Sequence, residues 1–246
     1  MPTSADHPTA DLDRLRDRTI VVSGATGAVG GAVLERLVEH GARIAIAARK
    51  DWQVSRLREQ LAGAPTLVAH VGTHDTEAAA GFVKGATDAL GPIDALVSCA
   101  GAFAMAPVGR DPGRQASELF DANFFAAHTL TRAVVSALRR RRTGNLVFTG
   151  AAAVGSATRG MALYLASKAA LHEYARTLAA EVRDDGVGVH VIAPGIVDTE
   201  ANRDAMPDAD RSAWVSRERL ADALLAAAVA DSPNDGDPVR TLTVGS

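Results

Sequence analysis

The chain is poor in cysteine, tyrosine and lysine, carries no surplus of charge of either sign, and has no long apolar run. One cysteine, Cys99, in 246 residues excludes an intramolecular disulfide framework and any metal site made of cysteines alone. A formal charge of −3 leaves no cationic excess to neutralise phosphates, so no nucleic-acid partner is expected. The longest apolar runs, such as 223–230, fall well short of the roughly 18–20 residues that span a bilayer, so no membrane partner is expected. The first residues lack the apolar core of a secretory signal. With a single cysteine, this makes a cytoplasmic, reducing location the expectation.

What is present is 47% apolar and 22% charged, the ordinary balance of a globular protein. The length allows one α/β domain with a sizeable core. Residues 1–18 are polar and aperiodic and read as a flexible leader. Over 19–246, short β-branched runs alternate with longer Ala/Leu/Arg segments of helical period. Strands are predicted at 19–23, 43–48, 66–69, 94–98, 145–149, 187–192 and 240–244. Helices are predicted at 29–40, 51–62, 75–90, 115–142, 161–184 and 216–231. The alternation is that of β-α-β units, hence an α/β single domain with a doubly wound parallel sheet. The run Arg139 to Arg142 closes a predicted helix, where four cations would complement the helix dipole and stay solvated.

The first strand ends in Ser23-Gly24-Ala25-Thr26-Gly27-Ala28-Val29-Gly30, and a helix follows at once. Glycines three apart permit a tight turn, close approach of a phosphate, and packing of helix on strand. The helix N-terminus then offers unpaired N–H groups to a pyrophosphate. Strand, turn and helix in that order are the context a Rossmann dinucleotide site requires. At the end of the second strand an acid would bind the ribose 2′-OH of NAD, whereas Arg accommodates a 2′-phosphate. Here Ala48-Arg49-Lys50 occupies that slot, which favours NADP(H) over NAD(H).

Tyr164 and Lys168 lie four apart in a helical segment, so phenol and ammonium share one face. A neighbouring cation lowers a phenol's pKa and makes it a usable general acid. Because the chain has two tyrosines and three lysines, about 0.02 chance matches to this spacing are expected.

With these features the chain resembles the short-chain dehydrogenase/reductase family over nearly all of 19–246. The matching features are the glycine turn, Ala100-Gly101 after the fourth strand, Asn123, the Tyr164/Lys168 pair, and Pro194-Gly195 followed by Val197 and Thr199. The resemblance implies a seven-stranded sheet in the order 3-2-1-4-5-6-7 and hydride transfer involving a nicotinamide. It also implies that Tyr164 protonates substrate, that Lys168 lowers the tyrosine pKa and holds the nicotinamide ribose, and that Asn123 positions a water. The family's carbonyl-polarising serine has Ala151 as its counterpart here. Cys99 and His70 replace the family's usual Asn and Asp. These departures are similar to the quinonoid dihydropteridine reductase-like branch, as are Gly160 to Leu163 and the loop from Asp198 to Asp210 closed by Trp214. The resemblance thereby implies a substrate loop containing Asn202, Met206 and Trp214.

A conjugated imine spreads incoming charge over ring nitrogens, so Tyr164 alone could supply its proton, whereas a ketone needs donors aimed at its oxygen. The expected function is hydride transfer from NADPH to a small conjugated imine, dihydropteridine-like, or to a carbonyl. The alternatives are a dinucleotide-binding regulatory protein and a non-redox cyclase or dehydratase using Tyr164 as acid. Helices 115–142 and 161–184 are expected to form a homodimer, with a tetramer implied by resemblance. His70 and His74 lack a third ligand and read as loop residues rather than a metal site. His128 and His172 read as exposed or interface residues. His190 and Cys99 read as packing residues. Trp214 reads either as a lid or as a fastener of its loop.

Overall fold

A computed structural model of the chain describes residues 11–231 and 236–243. Its strands are β1 (Thr19–Ser23), β2 (Arg43–Ala48), β3 (Thr66–His70), β4 (Ile93–Ser98), β5 (Asn145–Thr149), β6 (Gly188–Pro194), β7 (Val197–Asp198), β8 (Val215–Ser216) and β9 (Val239–Leu242). Seven of them form one parallel sheet in the order β3-β2-β1-β4-β5-β6-β9. This is the expected single-domain Rossmann-like order. The last strand counts as ninth because a short parallel ribbon of β7 and β8 precedes it. The predicted strand at 240–244 extends to Val244, which lies outside the described residues.

The sheet is covered on both faces, which is why β1 is buried along its whole length and reads as a continuous apolar run. Alternate side chains point to opposite layers. Ile20 and Val22 pack with α1 (Ala28–Glu39), α2 (Asp51–Gln60) and α8 (Arg217–Ala228). Val21 packs on the other face with α3 (Thr76–Leu90), α5 (Ala126–Arg141) and α6 (Ala162–Val182).

Four local expectations change. The predicted helix at 115–142 is α4 (Gln115–Phe120), a π turn (Asp121–Phe125) and α5. A π bulge adds one residue to a helical ladder, too small a phase change to show in the apolar pattern. The segment read as a loop after Thr199 contains α7 (Glu200–Ala205), whose start is capped by Thr199 Oγ1 accepting from Asn202 N at 3.2 Å. Of the supposed leader, residues 1–10 lie outside the described residues. Leu12–Leu15 is a 3₁₀ turn whose Leu15 is fully buried, so the stretch read as aperiodic contains one anchored turn. Finally, the arginine run does more than face water. Arg139 pairs with Asp185 at 2.8 Å, Arg141 reaches Asp94 and the Ile93 carbonyl, and Arg142 donates to the Asp184 carbonyl at 2.7 Å.

Candidate active site

The turn leaving β1 is shaped by what a side chain would strike. Gly24 has φ +72°, and a Cβ there would lie 2.4 Å from Ala100 N; one on Gly30 would lie 2.2 Å from the Gly24 carbonyl. The turn therefore touches the chain leaving β4, and the Ser23 and Ser98 hydroxyls, 3.0 Å apart, join the two strand ends beneath it. Gly27 caps α1 and offers no side chain to its first N–H groups, so the positive end of the helix keeps donors for an anion. These contacts are the cradle a pyrophosphate needs, and the residues fit a dinucleotide.

A cleft of ≈ 200 Å³ runs from this turn along the strand ends. Gly24, Thr26, Gly27, Arg49, Ala100 and Gly101 line it, together with Ala48, Gln53, Val71, Thr73 and Cys99. Arg49 is the one charged residue of that lining, and no carboxylate contributes to it. Ala28, Val29 and Gly30 sit behind the lining in the first turn of α1. Lys50 falls outside it as the N-cap of α2. Pro194, Gly195, Val197 and Thr199 also lie outside it, at the ends of β6 and of the β7 ribbon. There Pro194 accepts from Ala152 N at 2.9 Å and Gly195 donates to the Leu242 carbonyl at 3.0 Å.

Beyond Gly101 the cleft wall passes to α6. A Cβ on Gly101 would lie 3.1 Å from Asn123 Oδ1 and 3.5 Å from Lys168 Nζ, so the asparagine, the ammonium and this glycine meet at one point. Lys168 is buried, and its Nζ donates to the Thr149 carbonyl at 2.8 Å. Burial lowers its pKa to about 8. Tyr164, one turn earlier, is half-buried, and the ring of Phe103 meets it edge-on at 4.9 Å. Burial raises the Tyr164 phenol above its ordinary value. The expected lowering by the lysine is thus reversed, because the ammonium is committed to a carbonyl and does not offset the phenol's desolvation.

Asn123 sits in the π turn, fully buried. Its Oδ1 accepts from Ala102 N at 2.9 Å, and its Nδ2 donates to the Ala102 carbonyl at 3.0 Å and to Ser167 Oγ at 2.9 Å. The carboxamide therefore holds the β4 loop against α6.

Ala151, where the family serine would stand, donates its N–H to His172 Nε2 at 3.3 Å. Gly150 is glycine because a Cβ there would lie 2.4 Å from the same nitrogen. His172 is therefore buried rather than exposed, and burial lowers its pKa to about 4. Its position four residues after Lys168 could have revealed it, since one helix face carries both. Ser167, Phe103 and Gln53 carry no such signal, because the contacts that bring them to the site, with Asn123, Tyr164 and Thr26 respectively, join segments distant in sequence.

Asn202 spends its amide on the Val197 carbonyl at 2.8 Å. Met206 is half-buried at the end of α7. Trp214 is 7% exposed, with the Arg211 guanidinium 5.7 Å from its ring centre. Its burial ties this segment to the body of the domain. His70 and His74 pair singly with Asp51 at 3.3 Å and Asp121 at 2.7 Å. Cys99 lines the cleft with its thiol pushed up to about 12 by burial. No helix among the described residues is long and apolar enough to cross a membrane.

The sequence profile described as short chain dehydrogenase matches residues 18–210. The chain is 27% identical over 203 residues to the 3-oxoacyl-[acyl-carrier-protein] reductase FabG of Vibrio cholerae, covering 82% of each chain. It is 29% identical over 189 residues to the vibriobactin-specific 2,3-dihydro-2,3-dihydroxybenzoate dehydrogenase of the same organism, covering 75% of this chain and 71% of that one. Among solved structures, a short-chain dehydrogenase/reductase from Serratia marcescens superposes with TM-score 0.79 at 22% identity, covering 93% and 97% of the two chains. ElxO with NADP bound superposes with TM-score 0.78 at 15% identity, covering 91% and 96%.

Proposed function

Because the chain belongs to the short-chain dehydrogenase/reductase family and is an oxidoreductase of that type, we propose that it reduces a small, flat, conjugated imine of the dihydropteridine kind with NADPH. The observation that carries this reading is Ala151 beside a complete Tyr164/Lys168 pair. A ketone's oxygen gathers charge at one atom, and losing one donor aimed at it costs about 10²–10³ in rate. A conjugated imine disperses the charge over several nitrogens and needs one well-placed acid.

NADPH, when bound, supplies the hydride. Gly24, Gly27 and the first turn of α1 would hold its phosphates, and Arg49, the lone charge of the cleft lining, would take the 2′-phosphate. The bound NADP in the ElxO structure supports this cofactor. Lys168 would hold the nicotinamide ribose, with Pro194, Gly195, Val197 and Thr199 flanking that end. Tyr164, kept protonated by burial, delivers its phenolic proton to the ring nitrogen next to the carbon that is reduced. Phe103, 56% exposed and edge-on to Tyr164, gives the substrate side an aromatic wall on which a flat ring can lie. In this reading Asn202 on α7 and Met206 at its C-cap would belong to the substrate loop.

The reductases of 3-oxoacyl carrier substrates among the relatives favour a second reading, reduction of a ketone. One experiment separates them: NADPH oxidation with a panel of cyclic imines, quinones and ketones, on the wild type and on Ala151→Ser. The expected result is turnover of cyclic imines with little ketone turnover in either protein. A large gain in ketone turnover on restoring the hydroxyl would instead mean an impaired ketone reductase.

The active unit is further inferred to be a homo-oligomer joined through α5 and α6. Phe124 and His128 are stacked at 6.0 Å and Tyr174 meets both edge-on, a half-buried aromatic strip drawn from the π turn, α5 and α6.

A further inference from the structure

Gln53 stands in the first turn of α2, and its carboxamide joins two loops of the cleft. Its Oε1 accepts from Arg49 N at 3.2 Å, and its Nε2 donates to Thr26 Oγ1 at 2.9 Å. Thr26 belongs to the glycine turn and Arg49 to the exit of β2, so Gln53 straps the phosphate end of the cleft to the place where a ribose 2′ substituent would lie. Gln53 lines the cleft and is half-buried, but both of its hydrogen bonds lie on the exposed side, so they can be exchanged for bonds to a ligand without leaving a buried group unpaired.

The surroundings make its neutrality matter. The nearest carboxylate in sequence, Asp51, is drawn away to His70 on β3. The Arg49 guanidinium has no ion pair among the described residues. Among the residues that line this end of the cleft Arg49 is the one charge, and Gln53 beside it is a donor that adds none.

Resting on the dinucleotide reading above, we propose that Gln53 is a specificity-determining residue for the adenosine end. Its amide N–H meets the 2′ substituent beside Arg49, while its Oε1 keeps the β2 exit loop in place. A glutamate at 53 would keep the acceptor for Arg49 N and would accept from the Thr26 hydroxyl, so the strap would persist with a negative charge added. A methionine would keep the length and lose both hydrogen bonds.

The test is fluorescence titration of the full chain with NADPH and with NADH, for the wild type, Gln53→Glu, Gln53→Met and Arg49→Ala, with melting temperatures to verify folding. Gln53→Glu is expected to shift the ratio of the two dissociation constants toward NADH by about tenfold or more, and Gln53→Met by about threefold. A ratio within about twofold of wild type in Gln53→Met, while Arg49→Ala shifts it, overturns the role of Gln53 and leaves the cofactor reading standing. A wild type that binds neither dinucleotide overturns both.

Discussion

Tyr164 and Lys168 are both shifted by burial, in opposite directions. The phenol is raised and the ammonium is lowered to about 8. Near neutral pH this leaves a protonated phenol one helical turn from a charged amine, the form a reduction needs from its acid. Replacing the phenol by a phenyl ring keeps the edge contact with Phe103 and removes the transferable proton. Tyr164→Phe is therefore expected to lower turnover by about 10²–10⁴ while leaving the NADPH titration curve in place. Equal turnover in the variant removes Tyr164 as the proton donor. The Lys168 ammonium also sets an upper edge. Turnover of the wild type is expected to fall as pH rises through about 8, where that charge is lost, and a pH–rate profile flat to well above that value would separate Lys168 from the reaction.

The two helices that frame these residues show how much of the site could be read in advance. β1, β2 and β5 were legible to the residue, because parallel strands buried on both faces leave β-branched runs bounded by glycine and polar residues. The pairing of Tyr164 with Lys168 on one face of α6 follows from helix geometry alone. The break between α4 and α5 was not legible, since the apolar residues of 115–142 keep nearly one phase across the π turn that carries Asn123. Nor was the engagement of Asn123 with Ala102 and Ser167, because such bonds join segments distant in sequence and depend on the fold being complete. The same limit hid the aromatic strip of Phe124, His128 and Tyr174, assembled from the π turn, α5 and α6. If that strip is the seam of a homodimer, a charge placed in it must be desolvated on association. His128→Glu is expected to weaken the dimer by at least about tenfold with an unchanged circular dichroism spectrum. Light scattering over a dilution series reads the mass, and a wild type that is monomeric at every concentration would end the proposal.

The molecule also buries two histidines on opposite sides of β5, and together they set its response to acid. His172 faces Lys168 and Arg176 from its own helix, Gly150 and Ala151 from the β5 exit, and Asp237 from the chain before β9. His190 lies between Asn145, whose Oδ1 is 3.0 Å from its Nε2, and Arg240, whose Nη2 is 3.1 Å from its Nδ1. An arginine can only donate, so His190 Nδ1 accepts and Nε2 carries the proton toward Asn145: the neutral ring fits and the charged ring does not. Burial, reinforced by the neighbouring cations, lowers both histidines to about 4. In the unfolded chain they titrate near the ordinary value of about 6.5. Between these values the unfolded state binds more protons than the folded one. Stability is then fully present above the unfolded value and is lost as pH falls toward about 4, by at most about 1.4 kcal/mol per pH unit for each histidine. Carboxylates such as Asp237, held below their usual range chiefly by a backbone N–H and Arg176, lose their contribution only at lower pH. Urea denaturation midpoints across this window are therefore expected to drop steadily in the wild type. His190→Gln can still place an amide against Asn145 without a titrating ring, and it should lower stability at neutral pH yet flatten the slope by about half. An unchanged slope in that variant would mean that His190 is already charged in the folded protein, which its arginine neighbour argues against.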